Sequence, residues 1–361
     1  MNFTNRLKKL REKLIELNLD AILISSNENR MYFSGFRGSA GYLWITNTDA
    51  ILATDFRYTE QAKVEAPNYQ IIRIISGSSW LKDAVTASNA LRVGIEDHDL
   101  TLAGYNSIKA QLSDIAIKPK LVSTGFTCNQ LRAIKDSQEI DQLIQAINFS
   151  DQAIEIVGAK LKPGITEREI SWELEKTMRE LGADGLSFNT IVASGPNAAK
   201  AHHKPSERKL EAGDGVVIDM GALYQGYCSD ITRTFVIGKA SPEFRKIFDI
   251  VLSAQETAEA TAKAGMTGAE IDYLARQVID AAGYENEFGH SLGHGIGIAV
   301  HELPGVGPNS INRIENGMVF SIEPGIYIEG WGGVRIEDLV LMENDCPRVL
   351  TKAHKRDLVE I

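Results

Sequence analysis

The sequence predicts two units in tandem, a small α/β unit of about 120 residues followed by a larger α+β unit. Three observations carry that expectation. The first third alternates amphipathic helical stretches with short apolar strands. The middle holds helices with explicit start and stop signals. The last half places short apolar strands in hairpin-like pairs, four of them bearing a single carboxylate. The chain has 361 residues, which suits two domains at roughly 100–200 residues each.

The elements follow in order. Arg6 to Leu17 alternates charge with Leu and Ile at helical spacing, and Ala21 to Ser25 is a short apolar strand. Gly41 to Thr46 and Ala50 to Thr54 form a hairpin pair, with Gln70 to Ile75 as a further strand. Asp136 with Glu139 starts a long helix whose apolar face is Ile140, Leu143, Ile144, Ile147, Ile154 and Val157. Pro163-Gly164 breaks it. Thr166 with Glu169 starts the next helix, which closes at Gly182. Ser241-Pro242 opens a third, and Thr267 with Glu270 a fourth that ends at Gly283. Strands are expected over Gly215 to Leu223, Ser229 to Ile237, Met318 to Ile328 and Val334 to Met342, in antiparallel pairs. The domain boundary falls within 126–135, giving residues 1–128 and 129–361.

Composition narrows the function. Hydrophobic residues make up 43 % and charged residues 24 %, a globular balance. The net charge of −10 argues against nucleic acid as a partner, because phosphate binding needs concentrated Lys and Arg. No stretch approaches the ~20 apolar residues of a membrane span. Met1 to Leu19 is not a secretory core, since charges interrupt it throughout. Cys128, Cys228 and Cys346 are isolated and odd in number, so a reducing, cytoplasmic setting is expected.

The chemistry lies in the strands. Val216-Val217-Ile218-Asp219 is apolar except for one carboxylate, and a buried ionised carboxylate is costly unless paired or bound to a cation. Asp230 follows eleven residues later across a turn, so paired strands could bring both to one face. Like charges that close need a cation or a shared proton. Glu323, before a strand-ending proline, and Glu337 repeat the pattern. Gly289 to His301 adds His290, His294 and His301 among closely spaced glycines. Singly, each carboxylate is more often an edge or turn residue and each histidine as readily a loop residue; jointly they point to an oxygen-rich site for two cations. His290 and His294 are not a zincin pair, because Ser291 stands where that motif needs Glu, and the glycines do not fit a dinucleotide fingerprint.

The blocks VIDMGALYQGYCSDITRTF, GHSLGHGIGIAVHE, MVFSIEPGIY and GGVRIED resemble those of the pita-bread metallopeptidases. The likeness runs over the whole chain. The first third resembles the ribonuclease H-like domain of the family's proline-specific branch and of creatinase. The resemblance implies metal ligands at Asp219, Asp230, His294, Glu323 and Glu337, with Asp230 and Glu337 bridging two divalent cations. Asp219 would complete one shell, and His294 with Glu323 the other. It implies manganese, with cobalt or zinc as alternatives. Substrate-side roles fall on His202, His290 and His301, although His203 leaves the first assignment open by one residue. Glu323 would accept a proton from the attacking water. Arg335 would support the site, or form only a salt bridge beside it. The implied activity is hydrolysis of an Xaa-Pro bond in proline-containing peptides by a homodimer.

Tyr32 to Gly41 and Thr54 to Tyr58 resemble aminopeptidase P more than prolidase, although a Gly-rich turn between strands would explain the first of them. A non-catalytic binding protein or a metal-free amidinohydrolase on the same fold would be expected to lack ligands, and here the set is intact.

Overall fold

In the computed structural model, which describes residues 2–361, the first unit (Met1–Arg132) is built on a six-stranded mixed sheet. Its strands in spatial order are Gln70–Arg73, Ala50–Thr54, Tyr42–Thr46, Ala21–Ile24, Arg92–Ile95 and Lys120–Ser123. The central Ala21–Ile24 is buried throughout, as an apolar run covered on both faces must be. The expected hairpin is present, with Tyr42 opposite Ala53.

The Gly-rich stretch differs from a simple turn between strands. Asn27–Ser34 is a helix, capped by Ser26 and ended by Gly35 at φ +83°. A side chain at that φ would be strained, which explains the glycine. The loop beyond it is pinned by the buried Arg30 guanidinium, which donates to the carbonyls of Gly38 and Gly41 at 2.6 and 2.9 Å.

The second unit (Ala133–Ile361) is α+β. Its four long helices begin where the caps predict. Ser137–Gly158, Glu167–Leu181 and Gly268–Ala281 each start with a complete capping box, and Pro242 opens Pro242–Thr261. The first two helices share a core with the strands Gly215–Met220 and Ile231–Val236, through Ile154, Ile170, Leu174, Val216, Ile218 and Ile231. The other two share a core with Val319–Ile322 and Asp338–Glu343, through Ile247, Val251, Ile271, Phe320, Ile322 and Val340. Apart from a short parallel pairing at the C-terminus, the ladders of this unit are antiparallel. No helix is long and apolar enough to cross a membrane among the described residues.

Three expected strands are broken in two. Gly215–Met220 and Ala222–Tyr224 part at Gly221; Val319–Ile322 and Gly325–Ile328 part at Glu323-Pro324; Gly332–Arg335 and Asp338–Glu343 part at Ile336-Glu337. In all three cases the halves join different sheets. Pro324 has no N–H to give a ladder, and Gly221 is crowded to the point that a Cβ would sit 1.9 Å from the Ser229 carbonyl. Glu323 and Glu337 therefore sit at strand breaks and Asp230 just before Ile231–Val236, whereas Asp219 lies within its strand.

Candidate metal centre

The breaks aim the acidic side chains into one place. Asp219 lies opposite Thr232 in the antiparallel ladder, so Asp230, two residues from Thr232, shares its face. His294 comes from the strand Gly293–Gly295. Gly293 is needed there because a Cβ would lie 2.0 Å from the Ser321 carbonyl. Asp230, His294 and Glu337 each offer one ligand atom, and these atoms all lie within 4.8 Å of one another. The His294 Nε2 is 3.3 Å from Glu323 Oε1 and 3.6 Å from Asp230 Oδ2.

Asp219 is attached differently. The Arg335 guanidinium donates to its Oδ2 at 2.6 Å, to the Tyr327 hydroxyl at 2.8 Å and to Thr232 Oγ1 at 3.1 Å. Thr232 in turn donates to Glu337 Oε2 at 2.7 Å. Ser321 accepts the His294 backbone N–H and donates to Glu323 Oε1, both at 3.0 Å.

The electrostatics are those of an uncompensated acidic cluster. Asp230 is 4 % exposed and Glu337 1 %. Burial raises both well above the usual carboxylate range, and repulsion from neighbouring carboxylates adds to it. Burial also raises Asp219, against the pull of Arg335. Glu323 goes the other way: burial is outweighed by the His294 hydrogen bond and its charge, which hold the carboxyl low. Asp219 Oδ1, Asp230 Oδ1 and Glu337 Oε1 are buried with no hydrogen-bond partner. Three orphaned anionic oxygens beside an imidazole fit a divalent cation better than any arrangement of protein donors.

A cavity of about 950 Å³ opens onto this cluster, lined also by His202, His203, His290, His301 and Arg335. The structure separates the two adjacent histidines. The His203 ring meets Glu167 Oε2 at 2.8 Å, whereas His202 is an exposed lining residue. His301 packs edge-on against His294 with ring centres 4.1 Å apart. Burial and the neighbouring His294 lower its pKa. His290 is likewise lowered by burial. Its Nδ1 faces the Ser291 carbonyl at 2.8 Å and its Nε2 the Tyr327 hydroxyl at 2.9 Å.

Tyr327, Thr232, Ser321 and Glu167 were not singled out from the sequence. Thr232 stands two residues from Asp230, so strand alternation is the signal for it. Tyr327 and Glu167 had no local signal, because their partners are remote in the chain.

Comparison with known proteins identifies the family. A model of metallopeptidase family M24 matches residues 141–344, and one of the creatinase/prolidase N-terminal domain matches residues 6–134. A solved structure described as an Xaa-Pro dipeptidase from Bacillus anthracis is 40 % identical, covers 100 % of both chains and superposes with a TM-score of 0.95. One described as an X-Pro aminopeptidase from Thermotoga maritima is 38 % identical, covers 98 % of this chain and 99 % of that one, and gives 0.90. A curated relative from Pyrococcus horikoshii named Xaa-Pro dipeptidase is 38 % identical over 98 % of each chain. The chain belongs to metallopeptidase family M24, with a creatinase/prolidase-type N-terminal domain ahead of a pita-bread catalytic domain.

Proposed function

We propose that the protein hydrolyses Xaa-Pro peptide bonds at this centre and that its substrates are Xaa-Pro dipeptides. The observation that carries the hydrolytic reading is the buried acidic cluster with three orphaned oxygens beside His294. Two divalent cations held there would polarise a water and a carbonyl group. Manganese suits a ligand set rich in carboxylate oxygen, with cobalt or zinc as alternatives. Asp219, Asp230, His294, Glu323 and Glu337 would hold these ions. Glu323 accepts the proton of the attacking water and passes it to the departing proline nitrogen. His202 and His301 donate hydrogen bonds to the carbonyl oxygen as it gains charge. His290 shapes the wall, since a Nδ1–H given to Ser291 leaves its Nε2 to accept from Tyr327. The amide nitrogen of an Xaa-Pro bond has no N–H, so the pocket needs shape and no acceptor there.

The dipeptidase form departs from the aminopeptidase form that the Tyr32 to Gly41 segment favours. Its support is the Bacillus anthracis and Pyrococcus horikoshii relatives; the Thermotoga maritima structure supports the other form. We also infer a homodimer, which sedimentation velocity tests. The discriminating assay offers Ala-Pro and Ala-Pro-Ala to the Mn²⁺-loaded protein. Cleavage of the dipeptide alone is expected. Cleavage of the tripeptide as well as, or better than, the dipeptide establishes the aminopeptidase form. Cleavage of neither, with metal bound, overturns the peptidase reading.

A further inference from the structure

We infer that Glu167 is a positioning residue for His202, a single buried carboxylate that fixes the 194–206 loop at both of its ends. The inference rests on the substrate-side reading of His202 above. Glu167 is the first residue of the helix Glu167–Leu181, and its side chain is fully buried. Its Oε1 accepts from the Ser194 backbone N–H at 2.9 Å, the Ser194 hydroxyl at 2.7 Å and the Asn197 amide at 3.1 Å. Its Oε2 meets the His203 Nε2 at 2.8 Å and accepts from the Ser206 N–H at 3.0 Å and the Ser206 hydroxyl at 2.6 Å. One oxygen thus holds the entry to the loop and the other its exit.

His202 sits between two anchors. On one side the Ala201 carbonyl accepts from Arg335 Nη1 at 3.3 Å, tying the loop to the group that holds Asp219. On the other side the His203 ring is bound to Glu167. His202 makes no comparable bond of its own and projects into the cavity. Adjacent histidines therefore divide the work: His203 faces inward and anchors, and its neighbour is presented to the substrate. A carboxylate is required because every one of its partners can donate. In a Glu167→Gln protein the amide places N–H groups against donors at one of the two ends.

The test is a double-mutant cycle with a readout independent of turnover. Glu167→Gln, His202→Ala and the double variant are assayed on Ala-Pro with bound metal measured. Hydrogen exchange of the loop amides is followed by mass spectrometry. Glu167→Gln is expected to lower kcat about tenfold to hundredfold at unchanged metal content, as a displaced catalytic contact does. In the double variant no further loss beyond His202→Ala is expected. Exchange across 195–205 should rise about tenfold or more in Glu167→Gln. Losses that multiply in the double variant, or unchanged exchange in the loop, overturn the inference. Should Glu167→Gln not fold, Ser206→Ala, which deletes one of the bonds at the loop exit, runs through the same cycle. If the wild type cleaves no Xaa-Pro substrate, the proposed function fails, while the exchange measurement still decides whether Glu167 holds the loop.

Discussion

Replacing Glu337 by Gln should stabilise the metal-free protein and destabilise the metal-bound one. Glu337 Oε2 is bonded by Thr232, but Oε1 is orphaned and faces other carboxylates. Its pKa is raised in the folded state, by burial first and then by Glu323 and Asp219. The sign follows: a raised acid favours folding below its unfolded pKa, and that favour is lost as pH rises through the folded value. At pH 7.5 without metal, the group therefore either holds a proton or sits as an uncompensated anion. The Gln amide can donate a hydrogen bond to a facing carboxylate that Glu337 cannot, and one such bond is worth about 0.5–1.5 kcal/mol. At about 2–4 °C per kcal/mol, the melting temperature of the 229-residue second unit (133–361) should rise by about 1–6 °C.

With metal the order reverses. A cation at a hundred times its Kd stabilises the wild type by about 2.7 kcal/mol, or roughly 5–11 °C. Glu337→Gln, short of one anionic ligand, should gain much less at the same concentration. Differential scanning calorimetry of both proteins in EDTA and across a Mn²⁺ titration reads the crossing. A variant less stable than wild type in EDTA refutes the electrostatic reading. A wild-type melting temperature indifferent to Mn²⁺, Co²⁺ and Zn²⁺ refutes the metal centre itself.

Two further perturbations address the scaffold. Arg233 is buried and donates to Asp338, the neighbour of Glu337, and to the carbonyls of Glu337 and Ala353. Arg233→Met should cost about 3–5 kcal/mol in urea unfolding, because it strands the buried Asp338 charge with Lys355 as its remaining cation. Gly221→Ala forces a Cβ to within 1.9 Å of the Ser229 carbonyl, next to Asp230. It should push apart the segments carrying Asp219 and Asp230, and elemental analysis should find bound metal reduced to less than half; full occupancy would show that this close approach does not set the ligand geometry.

What the sequence determined is what local physics can encode. Helix starts were legible because a cap and its acid lie three residues apart, and all three capping boxes formed. The carboxylates stood out because a charge in an apolar strand demands a reason, and their association in one cluster matches that demand. The strand breaks were not legible. Periodicity ran straight through Gly221, Glu323 and Ile336, yet the chain changes partners at those points and thereby turns the acids toward one another. The sequence favours His202 but leaves His203 open beside it. That distinction depends on Glu167, 36 residues earlier than His203 and on another element. The same holds for Tyr327, whose hydroxyl joins His290 and Arg335. Such contacts come from how separate helices and strands pack, and propensity and spacing carry no record of them; only the tertiary structure decides them.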